Sequence, residues 1–246
     1  MKKNTQAQLA YNALREDLLS CRLAPGDPVR ISSAVSRLGV NLSAVREALS
    51  RLDAEGLVIS SNQRGFRIAP ISIDDLQDLT SVRIDVEINC LKHSLRLGDL
   101  GWETNLVAAF HRLSKTATPD KNGPDATAGT YTLAHDDFHG ALVAGCDSVW
   151  LLRIRDALYN QWERYRRLAV QLGRFESDVD AEHKELFEAA MARDEKRITK
   201  LIANHFNRTS SILLKAKQWC NETPTRETEA ASGHTNLPHL SSYHDT

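Results

Sequence analysis

Gly39-Val40-Asn41-Leu42-Ser43-Ala44-Val45-Arg46-Glu47-Ala48-Leu49-Ser50-Arg51-Leu52-Asp53-Ala54-Glu55-Gly56-Leu57-Val58 decides the fold of the N-terminal part. A short helix over 32–38 breaks at Gly39-Val40-Asn41, and Asn41 can cap a longer helix over 42–55. That order is a helix-turn-helix. Upstream, residues 6–20 set Leu9, Ala13, Leu14, Leu18 and Leu19 on one helical face, and Leu23-Ala24-Pro25-Gly26-Asp27-Pro28 ends the helix with turn chemistry. Downstream, Gly56 to Ala69 holds two β-prone runs around a polar bend containing Gly65, which predicts a β-hairpin wing.

Beyond Pro70 the pattern is helical, with no further convincing strand. Ser72 can cap a helix over 73–97, where Leu76, Leu79, Val82, Val86 and Leu91 recur near helical spacing. Helices follow over about 103–116, 128–145, 148–171, 179–192 and 195–219, separated by breaks at Gly98 to Gly101, Ala117 to Gly129, Gly145 to Asp147, Gly173 to Ser177 and Arg193-Asp194. The expected fold is mainly α: a winged helix-turn-helix over 1–70, a helical bundle of about six helices over 71–220, and a polar, disordered tail over 221–246. His234, His239 and His244 in that tail read as solvated coil residues.

A chain of 246 residues fits about two domains. Ten Lys and Arg stand against six Asp and Glu up to Pro70, a surplus of four positive charges in a chain whose formal net charge is −1. A basic N-terminal part joined to an acidic remainder points to a polyanion as partner of the first part alone. No run of about 18 apolar residues and no apolar signal core is present, so the expectation is a cytoplasmic protein with no membrane partner. Cys21, Cys90, Cys146 and Cys220 lack CxxC spacing and read as scattered reduced thiols.

The stretch from Gly39 to Val58, followed by Arg64-Gly65-Phe66, resembles the recognition helix and wing of the GntR family of transcription regulators. Asp75 to Glu87, Phe138-His139-Gly140-Ala141-Leu142-Val143-Ala144, Glu182-His183 and His205 resemble the effector domain of its FadR subfamily, called FCD. Two departures stand out. Asn41-Leu42-Ser43-Ala44 replaces a Ser-Arg-Thr-Pro-like stretch, so Leu42 takes the place of a customary base-reading arginine. His135 stands where the family has Asp, four residues before the first histidine. His135 together with FHGALVAGC is similar to regulators induced on carbon starvation that control short dicarboxylate catabolism.

A helix fits the major groove, with side chains near its N-terminus reaching base edges. Ser43 and Arg46 lie in the first turns of the helix over 42–55, and an arginine there can contact guanine in two places. The competing role for Arg46 is an ion pair with Asp53 or Glu47. Arg64 and Arg67 flank Gly65 in the wing and suit phosphates or the minor groove, or are plain surface arginines; Arg51, deeper in the helix, suits the DNA backbone. The expected partner is a double-stranded operator read by a homodimer.

His135 and His139 are i and i+4, so a helix projects both imidazoles from one face. His183 and His205 are equally distant from Asp194, which sits in the turn between the last two helices. In an antiparallel hairpin such residues lie at equal height and can face each other. Four imidazoles suit one divalent transition metal per chain, zinc or nickel, rather than magnesium or calcium. Asp136 and Asp137 serve either as orienting partners or as a solvated face. His93 and His111 lack partners at useful spacing and read as structural. The family resemblance places Arg83 where it can clamp a small carboxylate effector, against the alternative of an i, i+4 pair with Glu87.

The whole therefore reads as a ligand-responsive repressor of a catabolic operon. The competing reading is a metal-responsive regulator whose helical domain only dimerises or senses the ion. His135-Asp136-Asp137-Phe138-His139 faintly echoes the HExxH helix of zinc hydrolases, but Asp is shorter than Glu and no other catalytic motif accompanies it, so no enzyme is expected.

Overall fold

The structure is a computed structural model, and it describes residues 5–20, 22–61, 65–116, 125–171 and 179–215. The expected tail over 221–246, with its three histidines, lies outside the described residues. The N-terminal part consists of α1 (Gln6–Leu19), α2 (Ile31–Leu38), α3 (Leu42–Ala54) and the strands β1 (Val58–Ser61) and β2 (Gly65–Ile68). Asn41 caps α3 by accepting the Ala44 N–H at 2.8 Å, and Gly39 ends α2 at φ 62°, a left-handed backbone that favours glycine. Leu14, Leu18, Val45, Leu49, Leu52, Leu57 and Ile68 close one core between α1, α3 and the wing. Leu9 is the exception to the expected face of α1: it is half exposed, and Ala7 and Ala10 turn inward instead.

The wing pairs β1 and β2 antiparallel with Val58 opposite Ile68 and Ser61 opposite Gly65. Asp27 and Val29 extend it, Asp27 O accepting from Ile68 N at 2.9 Å and Val29 N donating to Phe66 O at 2.8 Å. The Pro-Gly turn after α1 thus returns the chain to the hairpin.

The C-terminal part is a bundle of α4 (Ile73–Leu97), α5 (Leu100–Lys115), α6 (Asp125–Val143), α7 (Val149–Gln171), α8 (Val179–Met191) and α9 (Glu195–Lys215). Ser72 caps α4 at 3.1 Å from Asp75 N. Two boundaries differ from expectation. Asp99 accepts the Trp102 N–H at 2.9 Å, so α5 starts at Leu100 and Gly101 lies inside it rather than in a loop. α6 likewise begins at Asp125, within the expected loop of 117–129. Val82 is 42% exposed and lies off the core face of α4, whereas Arg83 and Glu87, both charged, are buried.

The core of the bundle gathers Leu76, Leu91, Phe138, Trp162, Leu186, Ile202 and Phe206, with α4 packed on both α7 and α9. Each such side chain removed from water contributes about 1.5–3 kcal/mol. No helix among the described residues is long and apolar enough to cross a membrane. The two parts meet along α7. Arg15 Nη2 donates to Asn160 Oδ1 at 2.6 Å, Gln161 Nε2 to Glu55 O at 2.5 Å, Arg167 Nη1 to Glu16 Oε1 at 2.7 Å, and Arg164 to Ala69 O. Nothing in the sequence pattern of the helix over 148–171 marked it as the seat of the winged helix.

Candidate functional site

In the N-terminal part, Ser43 and Arg46 lie on the exposed face of α3, opposite the buried Ala44, Val45, Ala48 and Leu49. No ion pair reaches Arg46 among the described residues, and Asp53, one of its candidate partners, instead accepts the Ser60 N–H at 2.9 Å. Leu42, at the first position of α3, is 50% exposed. Arg51 is exposed but tethered: Nη1 donates to Gln8 Oε1 at 3.0 Å, and the guanidinium sits 4.0 Å from the Tyr11 ring centre. In the wing, Gly65 turns at φ 81° and Arg67 donates to Gly26 O at 2.6 Å. Arg64 lies outside the described residues.

In the bundle, α6 carries His135 and His139, α8 carries His183 and α9 carries His205, and all four are buried. Their ring centres are 4.5 Å apart for His135 and His139, 5.0 Å for His183 and His205, and 5.0 Å for His135 and His183. One ligand atom from each falls within 4.8 Å of those of the other three. The turn-symmetric pair meets because α8 and α9 form a tight hairpin: Arg193, at φ 51°, and Asp194, whose N–H donates to Ala189 O at 3.0 Å, reverse the chain.

The four imidazoles offer nitrogen donors that could hold one cation. His135 Nδ1 and both ring nitrogens of His139 are buried without a hydrogen-bond partner, a costly arrangement unless the lone pairs bind something. Burial first, then the nearby Arg166 charge, holds His135 well below its ordinary pKa; burial and then His135 do the same for His139. Neutral rings leave lone pairs free of protons. His205 Nδ1 donates to Glu182 Oε2 at 2.9 Å, which turns Nε2 of His205 toward the cluster. Glu182 is held in turn by Arg208. Of the two acids beside His135, Asp136 is largely buried and Asp137 is exposed, 3.6 Å from Arg112.

Arg83 lines a cavity of about 30 Å³ together with His135 and His205 of the cluster. The Arg83 guanidinium rests 4.3 Å from the Phe206 ring centre and 5.1 Å from that of Tyr159, and its Nε and Nη1 have no hydrogen-bond partner. Burial lowers its pKa to about 10, so it remains charged at neutral pH. The expected alternative, pairing with Glu87, is overturned. Glu87 is taken by Arg155 of α7 in a two-point contact of 3.0 and 3.1 Å, and Arg155 also donates to His139 O at 3.1 Å.

Sequence reasoning missed the wall that α7 supplies. Arg166 lines the cavity and is held by two 2.7 Å contacts to the buried Glu163, which also accepts from Arg167 Nε at 2.7 Å. Arg167 ends on Glu16 of α1, so an unbroken line of ion pairs runs from the cavity to the winged helix. The cluster of Glu163 with Arg164, Arg166 and Arg167 on α7 was a signal in the sequence, but alone it reads as an exposed helix face.

Comparison with known proteins agrees with both halves. The model of bacterial regulatory proteins of the gntR family matches residues 6–68, and that of the FCD domain matches residues 78–208. An HTH-type transcriptional regulator designated BphR, from Paraburkholderia xenovorans LB400, is 38% identical over 206 residues, covering 84% of each chain. The HTH-type transcriptional repressor GlaR of Escherichia coli K12 is 32% identical over 210 residues, covering 84% of this chain and 94% of its own. Among solved structures, E. coli McbR/YncC superposes with a TM-score of 0.70 at 15% identity, over 88% of this chain and all of its own. The fold and the relatives are those of regulators rather than enzymes, and the chain belongs to the GntR family of HTH-type transcription regulators, with an FCD domain behind its winged helix.

Proposed function

We propose that the protein is a repressor of a catabolic operon that binds DNA as a homodimer and responds to a small carboxylate. Residues 1–70 and 71–220 are its two working units. Ser43 and Arg46 read bases; Arg51, Arg64, Gly65 and Arg67 hold the backbone or the minor groove. His135, His139, His183 and His205 hold one divalent transition metal per chain, zinc or nickel, and Arg83 takes the carboxylate. When bound, the ion supplies a coordination position for a carboxylate oxygen.

The observation that carries the reading is a positive guanidinium with two unpaired nitrogens lining the same cavity as His135 and His205, two members of the four-imidazole cluster. One end of a short acid meets the histidine cluster and the other meets Arg83, which suits a dicarboxylate. Repression follows the printed name of the E. coli relative.

The test is a thermal-shift screen of organic acids on full-length protein purified without a His-tag, run with and without its metal. A ligand at 100 times its dissociation constant adds about 2.7 kcal/mol of stability. The expected result is a short dicarboxylate that stabilises only the metal-loaded protein and releases operator DNA in a mobility-shift assay. Equal stabilisation of the metal-stripped protein overturns the joint site.

A second reading, a regulator of metal response alone, is favoured by the size of the cavity. About 30 Å³ holds little more than an ion or a water. Operator release by metal with no organic acid present selects this reading.

A further inference from the structure

His93 and two of the cysteines, each without a partner by sequence spacing, meet at the opposite end of α4 from the winged helix. His93 lies on the last turns of α4, and Cys146 and Asp147 lie in the turn between α6 and α7. His93 Nδ1 is 2.7 Å from Asp147 Oδ1. One ligand atom each from His93, Cys146 and Asp147 lies within 4.8 Å of the other two. Cys90, one turn before His93, is buried like Cys146, and burial, then the nearby Cys146, pushes its thiol up to about 12.

The backbone holds these segments together independently of the side chains. A Cβ placed on Gly145 would come within 3.1 Å of the Cα atoms of both Gly98 and Ser94, so a side chain there would crowd the end of α4 and glycine lets the turn lie close against it. Burial differs across the group in a useful way. Cys146 is 7% exposed, while the side chains of His93 and Asp147 are 30% and 67% exposed, so the group is anchored on its thiol side and open to solvent on the other.

We propose that His93, Cys146 and Asp147 form a second metal site, separate from the four-histidine cluster, that takes zinc or a zinc-like divalent ion. Imidazole nitrogen, thiolate sulfur and carboxylate oxygen are each zinc ligands, at about 2.0–2.3 Å, and three protein ligands with a water in the fourth position make a four-coordinate site. Such a site has ligand-to-ligand edges of roughly 3–4 Å. Loading therefore opens the His93–Asp147 contact by about 1 Å, well within the reach of two partly exposed side chains. Binding releases the thiol proton of Cys146 to solvent. Calcium and magnesium, which take oxygen, are excluded by the donor set. A loaded site fastens the end of α4 to the turn that joins the histidine-bearing α6 to α7.

Cobalt(II) titration of the metal-stripped full-length protein tests the site, because a thiolate bound to cobalt adds a near-ultraviolet charge-transfer band that four imidazoles cannot give. The expected result is such a band, complete by two cobalt per chain in the wild-type protein, one for each site, and displaced by zinc. Cys146→Ser should abolish it, and His93→Gln or Asp147→Asn should weaken cobalt at least tenfold by this readout. His183→Ala should keep the band, so failure of the four-histidine cluster and failure of this site are told apart. The absence of a thiolate band in the wild-type protein overturns the proposal, as does a band unchanged in Cys146→Ser. Should that buried substitution unfold the chain by circular dichroism, the two partly exposed variants decide: unaltered cobalt affinity in both overturns the site.

Discussion

The Glu182 carboxylate accepts the Nδ1 proton of His205 at 2.9 Å, and this one contact fixes which nitrogen of His205 faces the cluster. Glu182→Gln keeps the size of the side chain but can present its amide N–H in place of an acceptor, freeing the ring to take either tautomer. Loss of such a partner typically costs 10–100-fold in metal affinity. Competition with a chelator should show that loss while the fold, by circular dichroism, is unchanged. Affinity equal to the parent would mean that the Glu182 carboxylate does not orient His205 for the metal.

Arg46→Ala should weaken specific operator binding. A two-point arginine–guanine contact provides about 1–3 kcal/mol of discrimination, so a mobility-shift assay should show roughly a 5–150-fold loss for the operator and little change for unrelated DNA. An equal loss on both would make Arg46 a phosphate contact.

Arg83→Lys keeps a charge but loses the planar fork that meets a carboxylate in two places. Once an effector is found, titration calorimetry should show at least a tenfold weaker affinity with metal content intact. Wild-type affinity and full DNA release in that variant would remove Arg83 from the effector site.

The neutral histidines set a pH dependence on the metal-free protein. His135 and His139 are held well below the ordinary value of 6.5 by burial. Below that pH the unfolded chain binds protons that the folded chain refuses, so stability falls as pH drops below 6.5 and is level above it. The slope should approach about 1.4 kcal/mol per pH unit for each ring in urea unfolding series. A flat profile from neutral to mildly acidic pH would show that the rings are not buried in the neutral form.

Glu87 is fully buried and answers Arg155 at two points. Glu87→Ala leaves the buried Arg155 guanidinium with only the exposed Asp156, 3.6 Å away, as an acid partner, a loss of about 3–5 kcal/mol in urea unfolding. Because Arg155 also holds His139 O, the same variant should bind metal more weakly. Intact metal affinity in a destabilised Glu87→Ala protein would confine the pair to stability.

What sequence made legible is what has a local period or a local symmetry. The i, i+4 spacing of His135 and His139, the equal distance of His183 and His205 from Asp194, and the cap at Asn41 each follow from helix geometry within a few turns. Glu87 and Arg155 are 68 residues apart and His93 and Asp147 are 54 apart, so no periodicity links them. Arg83 and Glu87 had the right spacing for a pair, but burial against α7 gave Glu87 a better partner. The start of α5 was missed because Gly101 reads as a turn residue, which Asp99 capping overrides; α6 begins at Asp125, within a run before Gly129 that reads as a loop.

The ion-pair line from Arg166 through Glu163 and Arg167 to Glu16 makes α7 common property of both halves of the molecule. If occupancy of the cavity shifts that helix, thermodynamic reciprocity follows: the factor by which effector weakens operator binding is the factor by which operator weakens effector binding. A promoter-bound copy would then need a higher effector concentration to respond than a free copy does. The threshold at which the operon opens is accordingly set jointly by the acid and by the DNA, and a stronger operator would raise it without any change in the sensing residues.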